Sequence, residues 1–448
     1  MGSLVGVAAQ PPQVLSSRGQ AAVDYGSKKI TWDIISNLWH PETNPNGYVS
    51  VGIAENVMLH DSLLDYLHAN IKLPSKFLTY NEGSMGSTPL RESVSHFLNR
   101  HLVPVRPIEP GHIFMTNGCS SAIEQLSSAF TEPGEGILLG RPYYGTFIAD
   151  LSLRPQAVVV PVDFGDVDPL GPYAVAQYEK AAKAFEERSG KRVRAVMLCH
   201  PHNPLGRCYP PSVIIEIMKF CQSRQLHLIS DEIYALSVWE NKVDTDPKSA
   251  PVLFKSVLSI DTSGIIDSSL VHVLWGMSKD FGANGLRVGA IISQSNAPLH
   301  TSLIATSLYS FVSGLSDQIT ATVLRDDEFT DKYIRLNQDN LSNCHNFVAR
   351  QLQKHNIEYE RGCNAGFFLW VNLGKKYLEN NTWANLKVEG HQLTDLIMQK
   401  LLGKKVFLAN GTVFGCEKPG WFRIVFAHPI PYLEEAMRRI MSALLAQE

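Results

Sequence analysis

The amino-acid sequence predicts an α/β protein, with a large domain built on a mainly parallel sheet and a smaller α+β domain. Between about residues 75 and 295, short apolar runs bounded by Gly, Pro or Ser alternate with amphipathic segments such as residues 173–187 and 212–224. Such runs are typical of strands that are buried on both faces of a parallel sheet. The chain has 448 residues, which is more than one small domain needs.

Six strands of the large domain are predicted, at residues 137–139, 157–161, 195–198, 226–230, 271–274 and 290–293. After about residue 315 the pattern changes to a long polar helical stretch at 319–355, strands at 367–371 and 422–426, and a helix at 431–446. We therefore expect an N-terminal arm and part of the small domain at 1–65, the large domain at 66–315 and the small C-terminal domain at 316–448. The first ~30 residues lack periodicity and predict a loose arm.

The composition excludes several classes of protein. The 40 basic and 43 acidic residues give a net charge of −3, which argues against binding to nucleic acid or to a membrane surface. No apolar run approaches the ~20 residues that span a bilayer, and the start of the chain does not have the pattern of a secretory signal. The seven cysteines form no C-x-x-C pair, which predicts free thiols in a reducing, cytoplasmic compartment and no zinc site.

Lys279 directly follows an apolar strand and the small residue Ser278, so we expect its side chain at the carboxyl edge of the sheet. Arg287 lies eight residues further on, between Gly285 and Gly289, which allow the loop to turn tightly. A lone Ser-Lys pair is more often a surface feature. A lysine and an arginine in this arrangement, however, suit a covalent amine site beside a phosphate.

Asp231 ends another apolar run, and Tyr234 follows three residues later. This pattern fits either an anion aimed at a ring nitrogen, with a phenol nearby, or a strand-end aspartate that caps the next helix. Asn203 begins a turn that follows the strand at 195–198, which places an amide side chain at the same edge of the sheet.

Two further positions suggest anion binding. Cys119 and Ser120 follow Gly118 at the start of a predicted helix, where free N–H groups and the helix dipole attract phosphate; the alternative is a plain N-cap by Ser120. Arg423 lies in an otherwise apolar strand, where an unpaired charge is costly. Either a substrate carboxylate or an internal salt bridge would pair it.

In their order and spacing, these residues resemble the class I/II aminotransferase family, which consists of fold-type I enzymes that use pyridoxal 5′-phosphate (PLP). The resemblance is greatest to the 1-aminocyclopropane-1-carboxylate (ACC) synthase-like branch, whose fungal homologues include carbon–sulfur lyases. It runs from about residue 36 to the C-terminus. The matching stretches are residues 44–47, 52–56, 142–144, 203–206, 231–234, 278–282 and 417–426.

The resemblance implies that Lys279 forms a Schiff base with PLP and then moves the Cα proton of the substrate. Asp231 would keep the pyridine nitrogen protonated, so that the ring accepts electrons. Tyr234 and Asn203 would hydrogen-bond the ring oxygen, and Tyr144 would stack on the ring.

The family also implies positions for the phosphate and the substrate. The phosphate would be held by Cys119, Ser120, Ser278 and Arg287. Arg423 would bind the substrate α-carboxylate, and Glu55 would lie near the end of the substrate side chain. No metal ligand is implied.

Two positions depart from the family pattern. Ser84 lies where ACC synthases have a tyrosine that reaches the phosphate of the neighbouring subunit. Gly276 lies where many members have a serine that contacts the phosphate. These differences imply that the phosphate contacts are rearranged.

The resemblance therefore predicts a homodimeric enzyme of secondary metabolism whose small-molecule substrate is an α-amino acid, in which it cleaves a carbon–sulfur bond by elimination. Transamination and ACC synthesis from S-adenosylmethionine stay open, because the same residues serve all three reactions. A cofactor-binding regulator without catalytic activity is a further alternative. That alternative would need a DNA-binding module, for which the chain has no basic segment.

Overall fold

The computed structural model describes residues 14–27, 30–244, 250–381 and 390–445. The α-helices of these residues are α1 Ser17–Gly26, α2 Thr31–Ile35, α3 His60–Asn70, α4 Thr88–Leu102, α5 Gly118–Phe130, α6 Phe147–Ser152, α7 Ala174–Ser189, α8 Pro211–Arg224, α9 Met277–Asp280, α10 Ala297–Thr306, α11 Gly314–Leu324, α12 Asp327–Lys354, α13 Leu373–Asn380, α14 His391–Gly403 and α15 Ile430–Leu444. The strands are β1 Val49–Ser50, β2 Ile113–Asn117, β3 Gly136–Gly140, β4 Val158–Val162, β5 Val193–Cys199, β6 His227–Asp231, β7 Val271–Gly276, β8 Val288–Ile292, β9 Glu358–Tyr359, β10 Phe368–Asn372, β11 Val406–Phe407, β12 Ala409–Asn410 and β13 Trp421–Val425.

The central sheet has seven strands in the order β2-β8-β7-β6-β5-β3-β4. Strands β7, β6, β5, β3 and β4 pair in parallel, whereas β8 is antiparallel to both of its neighbours. The predicted α/β fold with a mainly parallel sheet is therefore confirmed. Because β2 runs in the same direction as β7, the carboxyl ends of β2, β3, β5, β6 and β7 lie at one edge, together with the amino end of β8.

The sheet is buried on both faces, which explains why its strands appear in the sequence as unbroken apolar runs. Along β5, Ala195 and Met197 belong to one apolar cluster, while Val196 and Leu198 belong to the other. Helices α5 and α6 contribute to the first cluster, and α4, α7 and α8 contribute to the second. The sheet is therefore the middle layer between two layers of helices.

A second sheet has four antiparallel strands in the order β12-β13-β10-β9. Its strands and helices α12 and α15 share the first apolar cluster, into which α15 projects residues such as Leu433, Ile440 and Leu444. Near the start of the described chain, β1 pairs in parallel with β11, so that this segment packs with the C-terminal part. The domain boundaries at 65/66 and 315/316 stay predictions.

Individual elements differ in part from the predictions. Strand β2 was not predicted; its apolar run is short and ends in the polar residues Thr116 and Asn117. The helical stretch predicted at 319–355 is helical in the structure but consists of the end of α11 and of α12, since Asp326 caps α12 by accepting the N–H of Phe329 at 2.9 Å. Part of the expected loose arm forms the exposed helix α1, which Ser16 caps. The parts of that arm at 1–13 and 28–29 lie outside the described residues. So does the last residue of the helix predicted at 431–446. No described helix is long and apolar enough to cross a membrane.

Candidate active site

The candidate active site lies at the edge where the parallel strands end. Asp231 is the last residue of β6 and pairs in register with Cys199, the last residue of β5. Lys279 follows β7, and Arg287 directly precedes β8, which starts at the same edge. Strand direction alone therefore brings together residues that are distant in the sequence, as is usual for sites in open α/β sheets.

Lys279 lies in the short helix α9 with a half-buried side chain. Its Nζ donates a hydrogen bond to the carbonyl oxygen of Ala54 at 2.6 Å. Burial and, after it, the cation Arg423 lower the pKa of Lys279 to about 8, while the carboxylate of Glu55 acts in the opposite direction. A neutral amine is therefore accessible near physiological pH, which is what a lysine nucleophile or base needs.

Asp231 is buried, and burial raises the pKa of its carboxyl to about 7. One carboxyl oxygen accepts the N–H of Ile233 at 3.2 Å, and no described lysine or arginine forms an ion pair with the carboxylate. Asp231 does not cap a helix, because a turn and not a helix follows β6. A buried carboxylate of this kind is stabilised by any cation that binds beside it.

Tyr234 and Tyr144 lie close to these charges. Burial raises the pKa of both phenols, and both interact electrostatically with Asp231 and Arg423. Tyr234 is 2% exposed, and its ring packs edge-on against Phe367 and Phe368. Two hydrogen-bonding aromatic rings therefore lie beside the space between Asp231 and Arg423.

The start of α5 forms a concave site for an anion. The helix begins at Gly118 and its N-cap is Asn117, whose side chain makes no cap hydrogen bond, so Ser120 is not the N-cap. Gly118 has a φ of +77°, and an added Cβ would collide with the guanidinium of Arg287. The arginine therefore lies against the first turn, where unpaired N–H groups and the helix dipole also favour a negative charge.

Cys119 and Ser278 lie beside this first turn. The Sγ of Cys119 donates to the carbonyl oxygen of Trp275 at 3.3 Å, and burial raises the pKa of the thiol. This side chain packs against β7 as a protonated thiol, so any anion contact from Cys119 comes from its main-chain N–H. Ser278 is buried in α9, one residue before the lysine.

Arg423 lies on β13 of the small sheet and is only 3% exposed. Its Nη1 donates to Oδ1 of Asn203 at 3.0 Å, and its Nη2 donates to the carbonyl oxygen of Gly52 at 2.6 Å. Its guanidinium carbon lies 5.3 Å and 5.0 Å from the ring centres of Phe368 and Phe414. Nε has no partner, and no carboxylate among the described residues forms an ion pair with Arg423, so the internal salt bridge considered above is not present there.

Glu55 is held by a residue that the sequence analysis did not single out. Its carboxylate accepts a hydrogen bond from Nδ2 of Asn284 at 2.9 Å, while the main-chain carbonyl of Asn284 accepts from Nη1 of Arg287 at 3.0 Å. Asn284 therefore links the acid that acts on Lys279 to the arginine at the start of α5.

Asp280 is a second residue that sequence reasoning missed. Its buried carboxylate accepts hydrogen bonds from the N–H of Leu236, the hydroxyl of Ser237 at 2.8 Å and the indole of Trp275 at 3.3 Å. These contacts fix the helix that carries Lys279. The adjacent Ser-Lys-Asp sequence was the available signal, but nothing in it showed where the aspartate points.

The two departures from the family pattern have different surroundings. Gly276 has no room for a side chain, because an added Cβ would lie 2.5 Å from the carbonyl oxygen of Val288 and 3.2 Å from Sγ of Cys119. Ser84 lies on the surface, with its hydroxyl 3.5 Å from the carbonyl oxygen of Ile304. Neither residue points a polar side chain at the start of α5.

Known proteins with a similar sequence or structure agree with this geometry. A family model described as "Aminotransferase class I and II" matches residues 50–440. The chain belongs to this family. Members of the family are PLP-dependent enzymes, so both the enzyme class and the family predicted from the sequence are confirmed.

Individual relatives fall within the predicted branch. Over 92% of this chain and 69% of the relative, the sequence is 30% identical to human "Probable inactive 1-aminocyclopropane-1-carboxylate synthase-like protein 2". It is also 34% identical to "Probable aminotransferase sirI" of Leptosphaeria maculans, over 93% of this chain and 97% of that protein. The aromatic aminotransferase of Pyrococcus horikoshii has a similar fold, with a TM-score of 0.69, 20% identity, and coverage of 92% of this chain and 98% of that one.

The low pKa of Lys279 leads to a labelling experiment on the protein without cofactor. An amine reagent attacks only the neutral form, so labelling of Lys279 should rise with pH and be half-maximal near pH 8. An ordinary lysine reaches this point near pH ~10.4. Arg423→Gln removes a nearby cation and should raise the midpoint, whereas Glu55→Gln removes an anion and should lower it. Peptide mass spectrometry measures each midpoint, and a wild-type midpoint near that of an ordinary lysine would show that the prediction is wrong.

Proposed function

We propose that the chain binds PLP covalently on Lys279 and uses it to break a carbon–sulfur bond of an amino acid by elimination. One observation carries this proposal: Arg423 is a buried guanidinium that pairs with no carboxylate in the described part of the chain, and it acts electrostatically on the amine of Lys279. An amino acid whose α-carboxylate pairs with this guanidinium would have its Cα near the lysine.

The residues at the site fit the charged groups of PLP. Asp231 is a buried carboxylate without a basic partner among the described residues, which suits a protonated pyridine nitrogen. The first turn of α5 and Arg287 form a positive concave site, which suits the phosphate. Tyr144, Tyr234 and Asn203 would surround the ring, and Ser278 would lie on the phosphate side.

When bound, PLP supplies an electron sink for the bonds at Cα. The protein would contribute a base, a carboxylate clamp and a means of orienting the side chain. Lys279, as a free amine, would take the Cα proton while Arg423 and Asn203 fix the carboxylate. As the C–S bond breaks, its electron pair would leave on sulfur as a thiolate, and the electrons of the former Cα–H bond would form a Cα–Cβ double bond.

Glu55 favours elimination at sulfur over transamination of an acidic amino acid. Asn284 holds the carboxylate of Glu55 on the side of Lys279, where the family places the substrate side chain. A carboxylate at this position disfavours an acidic side chain by repulsion and leaves a neutral or cationic sulfur group unopposed. Transamination is the second candidate, because the relative from L. maculans is described as a probable aminotransferase.

We also propose that the enzyme is a homodimer of the cytoplasm. Exposed apolar side chains lie on two segments, at 73–80 and 304–309, and include Leu78 (81% exposed), Tyr80 and Tyr309. Next to the second segment, the carbonyl oxygen of Ser310 accepts the N–H of Asn117, so this surface adjoins the start of α5. A partner subunit would bury these side chains. All seven cysteines are free thiols, which agrees with a reducing compartment.

Substitution of Arg423, the proposed partner of the substrate carboxylate, should weaken the binding of substrate much more than the binding of the cofactor. A desolvated charge pair is worth ~2–5 kcal/mol, so Arg423→Gln should lower kcat/KM by about 30-fold or more. Arg423→Lys keeps the charge but not the two-pronged geometry and should recover only part of the loss. Steady-state kinetics, with the visible spectrum as a check on cofactor binding, test this. Normal kcat/KM in Arg423→Gln, or loss of the cofactor, would assign the arginine a structural role.

The reaction type is tested by supplying thioether amino acids, cysteine conjugates and S-adenosylmethionine to the holoenzyme without an α-keto acid. Elimination predicts continuous release of thiol and keto acid. A single turnover that an added α-keto acid rescues would show a transaminase, and ACC formed from S-adenosylmethionine would show an ACC synthase. Lys279→Ala should be inactive and should lose the borohydride-reducible cofactor adduct, which peptide mapping places at Lys279 in the wild type.

The dimer is tested by sedimentation. Leu78→Glu puts a charge on the exposed apolar surface and should raise the dimer dissociation constant at least ~10-fold. Val105→Glu is the matched control, because Val105 is also exposed but lies on another segment, beside Leu258. A wild-type enzyme that is monomeric and fully active would exclude the proposed dimer.

A further inference from the structure

Three buried side chains that could bind a metal meet away from the candidate active site. They are Asp244, His345 on α12, and Cys363, which lies shortly before β10. They are 7%, 0% and 1% exposed, and one ligand atom from each lies within 4.8 Å of the others. The three side chains come from segments that are distant in the sequence, so no local C-x-x-C pattern announces them.

The distance between the ligand atoms of Cys363 and His345 matches the geometry of a zinc site. Sγ of Cys363 lies 3.4 Å from Nε2 of His345. In a tetrahedral zinc site with Zn–S of ~2.3 Å and Zn–N of ~2.0 Å, the ligand atoms are ~3.5 Å apart. The remaining separations are all within 4.8 Å and would contract towards ~3.5 Å around a bound ion.

The surrounding contacts fix the proposed ligands as the outer shell of a metal site does. The carboxylate of Asp244 accepts from the hydroxyl of Tyr359 at 2.8 Å, from Nδ2 of Asn241 at 3.0 Å and from the N–H of Gly362 at 3.2 Å. The same amide group of Asn241 also donates to the carbonyl oxygen of Cys363 at 2.8 Å. Such contacts orient ligands and set their basicity.

One feature of this cluster remains unexplained without a ligand. Asp244 is buried, yet it forms no ion pair with any described lysine or arginine. A divalent cation bound beside this carboxylate would supply the missing positive charge.

We propose that Asp244, His345 and Cys363 bind one divalent zinc ion. The zinc would replace the proton of the Cys363 thiol, so that one proton is released and the charges of Zn²⁺, thiolate and carboxylate sum to zero in the buried site. The hydroxyl of Tyr359 or a water molecule would complete the tetrahedron. Because the ligands are buried, the zinc would be structural and would join α12 to the segments around Asp244 and Cys363.

The test measures metal on the intact, tag-free chain. The wild type, stripped with a chelator and then dialysed against Zn²⁺, should retain one zinc per chain by elemental mass spectrometry. Saturating Zn²⁺ should raise its Tm by about 5 °C. Co²⁺ in place of Zn²⁺ should give visible d–d bands of a tetrahedral thiolate site, at longer wavelengths than the yellow cofactor absorbs.

Cys363→Ser and His345→Gln should lose the bound zinc, the cobalt bands and the rise in Tm. Cys344→Ser is the matched control. Cys344 is a buried cysteine on α12, the helix that carries His345, but its thiol contacts the carbonyl of His428 and not the cluster. If the wild type takes up neither Zn²⁺ nor Co²⁺, or if Cys363→Ser binds them as the wild type does, the proposal is wrong. The wild-type result decides even if a variant fails to fold.

Discussion

The interaction on which the candidate site depends is the repulsion between the half-buried Lys279 and the buried Arg423. Burial lowers the pKa of both groups, and the charge of Arg423 lowers the pKa of Lys279 in addition. Release of a proton from the lysine relieves this repulsion at the lowest cost in free energy, since a guanidinium does not deprotonate in proteins. Arg423 therefore helps to prepare the amine chemically, in addition to the role that we propose for it in binding a carboxylate.

The anions around these cations have different surroundings and therefore different effects. Glu55 is held by Asn284 and favours the charged lysine, whereas Asp231 is buried so deeply that its own charge is disfavoured. A ligand that places a cation beside Asp231 and an anion beside Arg423 would relieve both costs at once. This complementarity supports our proposal that the site takes a zwitterionic amino acid next to a protonated ring.

The hydrogen bonds of Asp280 fix the position of the helix that carries Lys279. Asp280 takes three donors from Leu236, Ser237 and Trp275, although burial raises the pKa of its carboxyl to about 7. Burying such a group costs free energy unless its hydrogen bonds are complete. Here the bonds tie the lysine helix to the segment after β6, so that Lys279 and Asp231 keep a fixed relation.

The sequence predicted those parts of the molecule that depend on local pattern. Buried parallel strands leave continuous apolar runs, so six strands of the central sheet were predicted correctly, and their common edge then placed Lys279 and Asp231 together. Contacts across the chain were not predictable in this way. Asn284 reaches Glu55, and Arg423 reaches Asn203, over more than 200 residues. Such pairings are set by how the two sheets pack, and no spacing in the sequence encodes them.

The structure also gives a reason for one departure from the family pattern that the sequence could not supply. Gly276 looks like the loss of a phosphate ligand when it is compared with a family pattern. In the structure, β7 and β8 approach so closely there that a side chain would meet the carbonyl oxygen of Val288 at 2.5 Å. A serine at this position would force the strands apart before it could contact an anion. The anion contacts that we propose on this side would therefore come from the first turn of α5, from Ser278 and from Arg287, and the approach of Arg287 depends on the missing Cβ of Gly118. Two glycines therefore matter at this site for different reasons. Gly276 allows β7 and β8 to approach each other closely, and Gly118 leaves room for the guanidinium of Arg287.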